Sequence, residues 1–141
     1  MEAKEIKMRV VYASDKAKMQ TFANALGEAF KCLVDSCPPG FPCEKERLVI
    51  IGMTLKGDPS DKLRLFCGEL NAQRAYNVAL FIDGEKDSKA LKMVKEILKE
   101  AGTNVIDNDY YVNGGGFFSK KISLEERTNI VRWVQGIIDE L

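Results

Sequence analysis

The chain has 141 residues, and its 21 Lys and Arg residues balance its 21 Asp and Glu residues, so the formal net charge is zero. This balance argues against a general nucleic-acid-binding protein, which needs a basic excess or a basic stripe. The sequence contains no histidine, which excludes Ser-His-Asp and Cys-His nucleophile pairs and most catalytic zinc sites.

The length predicts a single domain over residues 1–141. The first residues, MEAKEIKMRVVYAS, are charged and lack the long apolar core of a secretion signal. No apolar run approaches the roughly 20 residues that span a membrane. We therefore expect a cytoplasmic protein that does not associate with a membrane and whose four cysteines are reduced thiols.

The first half of the chain predicts three strands and a helix. Ile6 to Ala13 is expected to form a buried strand, and Lys16 to Lys31 a helix. The apolar residues of that helix recur at spacings of three and four: Met19, Phe22, Ala23, Leu26 and Phe30. Cys32 to Asp35 reads as a short, weak strand before the loop SCPPGFPC. Arg47 to Met53 contains four consecutive apolar residues, which predicts a strand buried on both faces, as in a parallel sheet.

After the loop TLKG, a second helix is expected with Asp58 as its N-cap and Pro59 in its first turn. Its buried face is expected to carry Leu63, Phe66, Cys67 and Leu70. A fourth strand follows from Ala75 to Ile82. Asp87 is then the expected cap of a helix from Ser88 to Ala101, with Gly102 as its C-terminal stop.

The last part of the chain predicts a fifth strand from Thr103 to Val112 and a final helix that begins with a capping box of Ser123 and Glu126. The core side of this helix is expected to carry Ile130, Val131, Val134, Ile137 and Ile138. Trp133 lies near that apolar face and belongs either to the core or to a partner surface. Five strands that alternate with helices predict right-handed crossovers and a parallel sheet covered on both faces.

This order of elements resembles the flavodoxin-like fold, an α/β fold of three layers with a doubly wound, five-stranded parallel sheet in the order 2-1-3-4-5. The resemblance is also local. VVYAS before the first helix is similar to the phosphate-loop region of flavodoxins. VIIGMTLKGDPSDKLRLFCGEL followed by YNVALFIDG is similar to short flavodoxin-like proteins.

The resemblance implies a binding site for FMN. In flavodoxins the first loop has the form Ser/Thr-x-Thr/Ser-Gly-x-Thr, and its N–H groups and hydroxyls hold the FMN phosphate at a helix N-terminus. The matching residues here are Ser14, Asp15, Lys16, Ala17, Lys18 and Met19. Only Ser14 keeps its hydroxyl, so the phosphate loop is degenerate, while Lys16 and Lys18 supply positive charge.

Two further loops are implied to flank the flavin ring. The loop after the third strand comprises Gly52, Met53, Thr54, Leu55, Lys56 and Gly57. Met53 stands where the resemblance places an aromatic residue, and its thioether can contact an aromatic ring favourably. The loop after the fourth strand, expected on the other side of the ring, comprises Asp83, Gly84 and Glu85.

Three functions remain open at this point. The first is an FMN-binding electron-transfer protein, or an accessory to a flavin-dependent reductase, whose partner is a redox protein or reductase. The second is a degenerate flavodoxin-like domain that binds no flavin and serves as a protein-interaction or regulatory module. The third is a nucleotide or small-molecule binder that uses the same crevice. No side chain is a convincing acid, base or nucleophile, so a carrier is easier to defend than an enzyme, and a monomer and a dimer are equally open.

Three other features have two readings each. Cys37 and Cys43 frame PPGFP and are either a redox-active pair or two ordinary loop thiols. The segment NGGGFF is either a flexible lid over the site or an exposed turn. Tyr110, Tyr111 and Phe117 either supply an aromatic side chain near the site or serve packing.

Overall fold

The computed structural model describes residues 6–116 and 118–141, so Phe117 lies outside the described residues. In these ranges the strands are β1 Met8–Ala13, β2 Leu33–Ser36, β3 Glu46–Thr54, β4 Ala75–Asp83, β5 Asn104–Val105 and β6 Tyr110–Tyr111. The helices are α1 Ala17–Phe30, α2 Asp61–Glu69, α3 Lys89–Ala101 and α4 Leu124–Glu140.

The strands form one parallel sheet in the order β2-β1-β3-β4-β5, and β6 also pairs with β4. This order confirms the predicted flavodoxin-like arrangement. The connections reverse direction between β1 and β3, because the chain winds outward from β1 to β2 and from β3 to β4. The carboxyl ends of β1 and β3 therefore form the topological switch point, where ligands bind in sheets of this kind.

The prediction of one continuous fifth strand from Thr103 to Val112 is wrong. Val105 pairs with Val78 and Tyr110 pairs with Phe81, so β4 advances by three residues while the neighbouring segment advances by five. Two residues therefore bulge out of the sheet between β5 and β6. The intervening sequence, IDND, is rich in residues that favour turns over strands.

Helices cover both faces of the sheet, and alternate strand residues point to opposite faces. On one face α1 and α4 pack against a cluster of strand side chains that includes Val10, Leu48, Ile50, Ala79 and Phe81. On the other face α2 and α3 pack against a second cluster that includes Val11, Val49, Ile51, Leu80 and Ile82. The three predicted layers are confirmed, and both clusters leave the strand ends free to carry polar groups.

Two helices begin later than predicted. The N-cap of α2 is Ser60, whose side chain accepts a hydrogen bond from the N–H of Leu63, so the prediction of Asp58 is wrong. The N-cap of α3 is Ser88 rather than Asp87, whose φ of 54° is unlike the extended backbone of an N-cap. The predicted capping box at the start of α4 is present in full.

Trp133 belongs to the core. Its indole N–H donates to the carbonyl of Asn108 at 2.9 Å, and its ring stacks on Tyr110 with centroids 5.3 Å apart. These contacts fix the bulged segment between β5 and β6 against α4. Among the described residues, no helix combines the length and the apolar character needed to cross a membrane.

Candidate functional site

Polar side chains meet at the carboxyl edge of the sheet, where β1, β3 and β4 end next to one another. Two cavities open at this edge. One, of about 730 Å³, lies at the switch point and is lined in part by Tyr12, Ser14 and Lys16. The other, of about 780 Å³, lies beside β4 and is lined in part by Leu55 and Asp83. We call them the switch-point cavity and the β4 cavity; Lys56 and Asp58 line both.

A polar network runs between the two cavities. Ser14 and Thr54 share a hydrogen bond of 2.7 Å between their hydroxyl oxygens, and the Thr54 hydroxyl donates to Oδ2 of Asp83 at 3.1 Å. The Lys16 ammonium donates to the same carboxylate oxygen at 2.7 Å. The N–H of Gly114 donates to Oδ1 of Asp83 at 3.1 Å. The Asp83 carboxylate thus joins the ends of three strands to residues 113–116, which we call the glycine segment. We call this set of hydrogen bonds the Asp83 network.

Asp83 is charged at neutral pH in this setting. Burial acts to raise its pKa, but hydrogen bonds from Lys16, Gly114 and Thr54 together with the Lys16 charge outweigh that effect. The net pKa therefore lies below the ordinary value of an aspartate. The side chain is 15% exposed, so this charge is largely withdrawn from solvent and depends on its partners.

Gly114 allows the glycine segment to close onto Asp83. A Cβ atom at this position would lie 2.2 Å from Oδ2 of Asp83, so only glycine fits without displacing the carboxylate. Gly115 adopts a φ of 72°, which also favours glycine, and Asn113 accepts a hydrogen bond from its N–H at 2.9 Å. The predicted lid segment therefore contributes a backbone donor to the site, a role that the sequence reading missed.

The N-terminus of α1 faces the switch-point cavity without an acidic cap. Its N-cap is Lys16, which offers no side-chain acceptor, and its first turn contains no acidic residue. The N–H of Lys16 itself donates to the Ser14 hydroxyl at 3.1 Å. The N–H groups of Ala17 and Lys18 lie in the first turn, where no helical carbonyl can accept from them. These two groups and the positive end of the helix dipole remain for an anion.

The other residues of the predicted phosphate loop lie in three different surroundings: the solvent, the core and the contact with α4. Asp15 is exposed, and Met19 is wholly buried, so Met19 lines no site. The Lys18 ammonium pairs with Glu126 at 2.9 Å and lies 5.8 Å from the ring centroid of Phe22. The Lys18 side chain is therefore engaged by α4, whereas the sequence predicts that its charge serves the phosphate.

Two residues of the predicted loop after the third strand, Met53 and Gly52, differ from their predicted use, and both lie within β3. Met53 alternates with Ile51 into the core and is 0% exposed, so its thioether is not available to a ring in the crevice. Gly52 is likewise internal, since a Cβ there would lie 2.1 Å from the Phe81 ring. Leu55 is buried but lines the β4 cavity, and Lys56 and Gly57 are exposed at the rim. Of the predicted set, Thr54, Lys56 and Gly57 reach the crevice with polar or backbone groups.

The loop after β4 approaches the loop after β3 closely. The N–H of Leu55 donates to the carbonyl of Asp83 at 3.0 Å. A Cβ atom on Gly84 would lie 2.8 Å from the carbonyl oxygen of Leu55, so glycine is required for this approach. Glu85 is exposed and lines the β4 cavity. The two predicted ring-flanking loops do meet, at the backbone.

Aromatic side chains are absent from the described lining of the β4 cavity. Its apolar wall consists of Leu55, Ala90 and Val112. Tyr111 instead accepts a hydrogen bond from the N–H of Asp87 at 3.0 Å, and Tyr110 stacks on Trp133. Both tyrosines therefore serve packing, while the prediction for Phe117 falls outside the described residues.

The cysteines show no sign of an activated thiol. Cys43 is buried in the core, and Cys37 is half-buried with its thiol 3.6 Å from the carbonyl oxygen of Lys62. Burial raises the pKa of Cys37 to about 11 and also raises that of Cys43, which disfavours the reactive thiolate. In residues 6–116 and 118–141, no three His, Cys, Asp or Glu side chains are grouped so that they could hold a metal ion.

The fold is shared with solved structures at low sequence identity. A flavodoxin from the domain Archaea superposes with a TM-score of 0.65 at 14% identity, over 96% of this chain and 98% of that one. Rubredoxin oxygen:oxidoreductase from Desulfovibrio gigas gives 0.63 at 16% identity, over 98% of this chain and 37% of that one. A flavodiiron core from Synechocystis sp. gives 0.59 at 14% identity, with coverages of 99% and 38%.

No family model and no curated protein matches the sequence. The sheet order and the superpositions together show that the chain has the flavodoxin-like fold. The chain spans almost the whole archaeal flavodoxin and well under half of the two larger proteins.

Proposed function

We propose that this protein binds FMN at the carboxyl edge of its sheet and transfers electrons to or from a redox partner protein. The observation that carries the proposal is the N-terminus of α1, which has no side-chain cap and no acidic residue in its first turn and places Lys16 at the switch point of a flavodoxin-like fold. A dianionic phosphate matches this arrangement of donors and charge. The flavodoxin and flavodiiron neighbours support the flavin as the rest of the ligand.

The residues present fit the phosphate end of FMN. The N–H groups of Ala17 and Lys18 have no helical partner, and the Ser14 hydroxyl lies at the end of β1 beside them. The carboxylates of Asp15 and Asp58 also line the switch-point cavity, and both residues are exposed to solvent. Lys16 supplies the charge, although in the structure it is paired with Asp83.

The β4 cavity supports the ring end of the proposed ligand by its volume and by its aliphatic wall. The β4 cavity, at about 780 Å³, is of the size that holds small ligands and cofactors. Its aliphatic wall, formed by Leu55, Ala90 and Val112, offers apolar contact in place of aromatic stacking. Because stacking is missing, we expect the phosphate to contribute a larger part of the affinity than the ring does.

When bound, the flavin would supply the redox chemistry, and the protein would supply position and electrostatics. Lys16 and the α1 N-terminus would hold the phosphate, and the loops after β3 and β4 would flank the ring. Lys56, exposed at the rim and lining both cavities, would place a positive charge beside the ligand. A neutral chain would dock its partner with little long-range steering.

Reconstitution tests the proposal. After incubation with excess FMN and desalting, we expect the protein to retain close to one FMN per chain and to be yellow, and we expect the retained flavin to be reduced by dithionite and reoxidised in air. The matched control is bovine serum albumin carried through the same column. A colourless protein that retains no more flavin than the control would contradict the proposal.

A second function has a specific observation in its favour. Lys16, the charge that a phosphate needs, is already neutralised by Asp83 at 2.7 Å. A domain that has lost its flavin would fill its phosphate site with such an internal pair and act as a protein-interaction module. The colourless outcome of the reconstitution would support this alternative.

A further inference from the structure

We propose that the Asp83 carboxylate is an internal competitor for phosphate-bearing ligands, because it holds in an ion pair the Lys16 ammonium that a phosphate group would use. The inference rests on the proposed FMN site and adds a residue that sets its affinity. Asp83 lines the β4 cavity, where the ring is proposed to lie, but its effect on the affinity for phosphate would come from holding Lys16.

The donors around Asp83 are those of a phosphate site. The carboxylate accepts from the Lys16 ammonium at 2.7 Å, from the Thr54 hydroxyl at 3.1 Å and from the N–H of Gly114 at 3.1 Å. An ammonium, a hydroxyl and the N–H of a glycine segment recur in sites that hold phosphate. Here the anion that they hold is part of the chain.

The position of the network makes the competition direct. Lys16 and Thr54 line the switch-point cavity, while Asp83 lines the β4 cavity, so the Lys16–Asp83 pair lies between the two. A ligand with its phosphate at the α1 N-terminus and its ring in the β4 cavity must pass this pair. Among the described residues, Asp83 is the carboxylate with which Lys16 forms an ion pair.

Gly114 holds the Asp83 carboxylate in place. The glycine segment closes onto the carboxylate so tightly that a Cβ atom at Gly114 would lie 2.2 Å from Oδ2 of Asp83. The side chains of Lys16 and Asp83 are 23% and 15% exposed, so water screens their attraction only partly. A phosphate that recruits Lys16 must therefore offset a partly buried ion pair, which lowers its apparent affinity.

The test compares Asp83→Asn with Asp87→Asn by fluorescence titration of FMN. Both variants remove one carboxylate, Asp83 at the end of β4 and Asp87 four residues later, and Asn tolerates the φ of 54° at position 87. We expect Asp83→Asn to bind FMN about tenfold more tightly than the unmodified protein, equivalent to about 1.4 kcal/mol, and Asp87→Asn to change affinity by less than about twofold. Riboflavin affinity should respond to neither change.

If Asp83 competes with the phosphate for Lys16, the gain in FMN affinity of Asp83→Asn must depend on Lys16. In the double variant Lys16→Gln with Asp83→Asn, the increase over Lys16→Gln alone should disappear. Circular dichroism verifies folding, and Asp83→Ser, which also removes the charge and keeps an acceptor, repeats the test if Asp83→Asn does not fold.

The outcomes separate this inference from the proposed function. Tighter FMN binding by Asp83→Asn supports the inference even if the unmodified protein binds no FMN, a result that would reject only the proposed function. Equal FMN affinity of Asp83→Asn and Asp87→Asn, in proteins that do bind FMN, overturns the inference and leaves the proposed function standing. Absence of FMN binding in every variant overturns both.

Discussion

Lys16→Glu is expected to weaken FMN binding by about 100-fold or more, the loss of a charge-assisted hydrogen bond combined with a new repulsion. In the structure Lys16 lines the switch-point cavity, as Lys56 and Lys62 also do, and its backbone forms the N-cap of α1. A glutamate would direct a carboxylate at the phosphate and at Asp83. Quenching of FMN fluorescence, titrated with protein at constant ionic strength, measures the change.

The matched control is Lys99→Glu, which makes the same change of net charge. Lys99 lies in the last turn of α3, at the opposite edge of the sheet from both cavities. We expect its FMN affinity to stay within about threefold of the unmodified protein, because screening removes most of a distant charge effect. Equal affinities of Lys16→Glu and Lys99→Glu would contradict the assignment of the phosphate to the α1 N-terminus.

Gly52→Ala is expected to destabilise the fold by about 3 kcal/mol and to lower Tm by about 10 °C. The new Cβ atom would lie 2.1 Å from the Phe81 ring, which is 0% exposed and packs against Phe22 with centroids 6.4 Å apart. The ring cannot move without disturbing the core under α1. Urea unfolding followed by circular dichroism measures the loss.

Gly136→Ala provides the matched control for Gly52→Ala. Gly136 is an exposed residue of α4, and a Cβ there meets no atom within 4 Å. We expect this variant to be more stable by about 0.5–1 kcal/mol, since alanine favours the helix. A loss below about 1 kcal/mol for Gly52→Ala would show that the Phe81 ring does not need the space at Gly52.

Most of the fold was predictable because its signals are local. Four consecutive apolar residues from Leu48 to Ile51 predict a strand buried on both faces, and all four are 0% exposed. The helix starts were predicted one or two residues early because Asp58 and Ser60, like Asp87 and Ser88, are all good capping residues. The choice depends on backbone angles such as the φ of Asp87, which composition does not reveal.

The break in the fifth strand depends on distant contacts. Lys95 of α3 pairs with Asp109 at 2.5 Å, and Trp133 of α4 donates to the carbonyl of Asn108. These two contacts draw the bulged segment away from the sheet. Neither partner is near the segment in sequence, so the pattern of strand residues alone predicted one long strand.

The sequence predicts which residues lie at the carboxyl edge of the sheet, but it does not predict which of them contact one another. Ser14, Lys16 and Asp83 were each placed at the carboxyl edge, but Lys16 and Asp83 are 67 positions apart, and nothing local predicts their ion pair. The error at Met53 was avoidable, since it alternates with Ile51 and so points into the core. Lys56, Gly57 and Asp58 are exposed in the loop that follows β3.

The central claim is that the α1 N-terminus binds the phosphate of FMN, and a parallel titration with FMN and riboflavin tests it most directly. The two ligands share the ring and differ in the phosphate. We predict saturable binding of FMN with riboflavin at least about tenfold weaker, a difference of about 1.4 kcal/mol or more. Equal affinities for the two ligands, or no binding of either at micromolar protein, would contradict the claim.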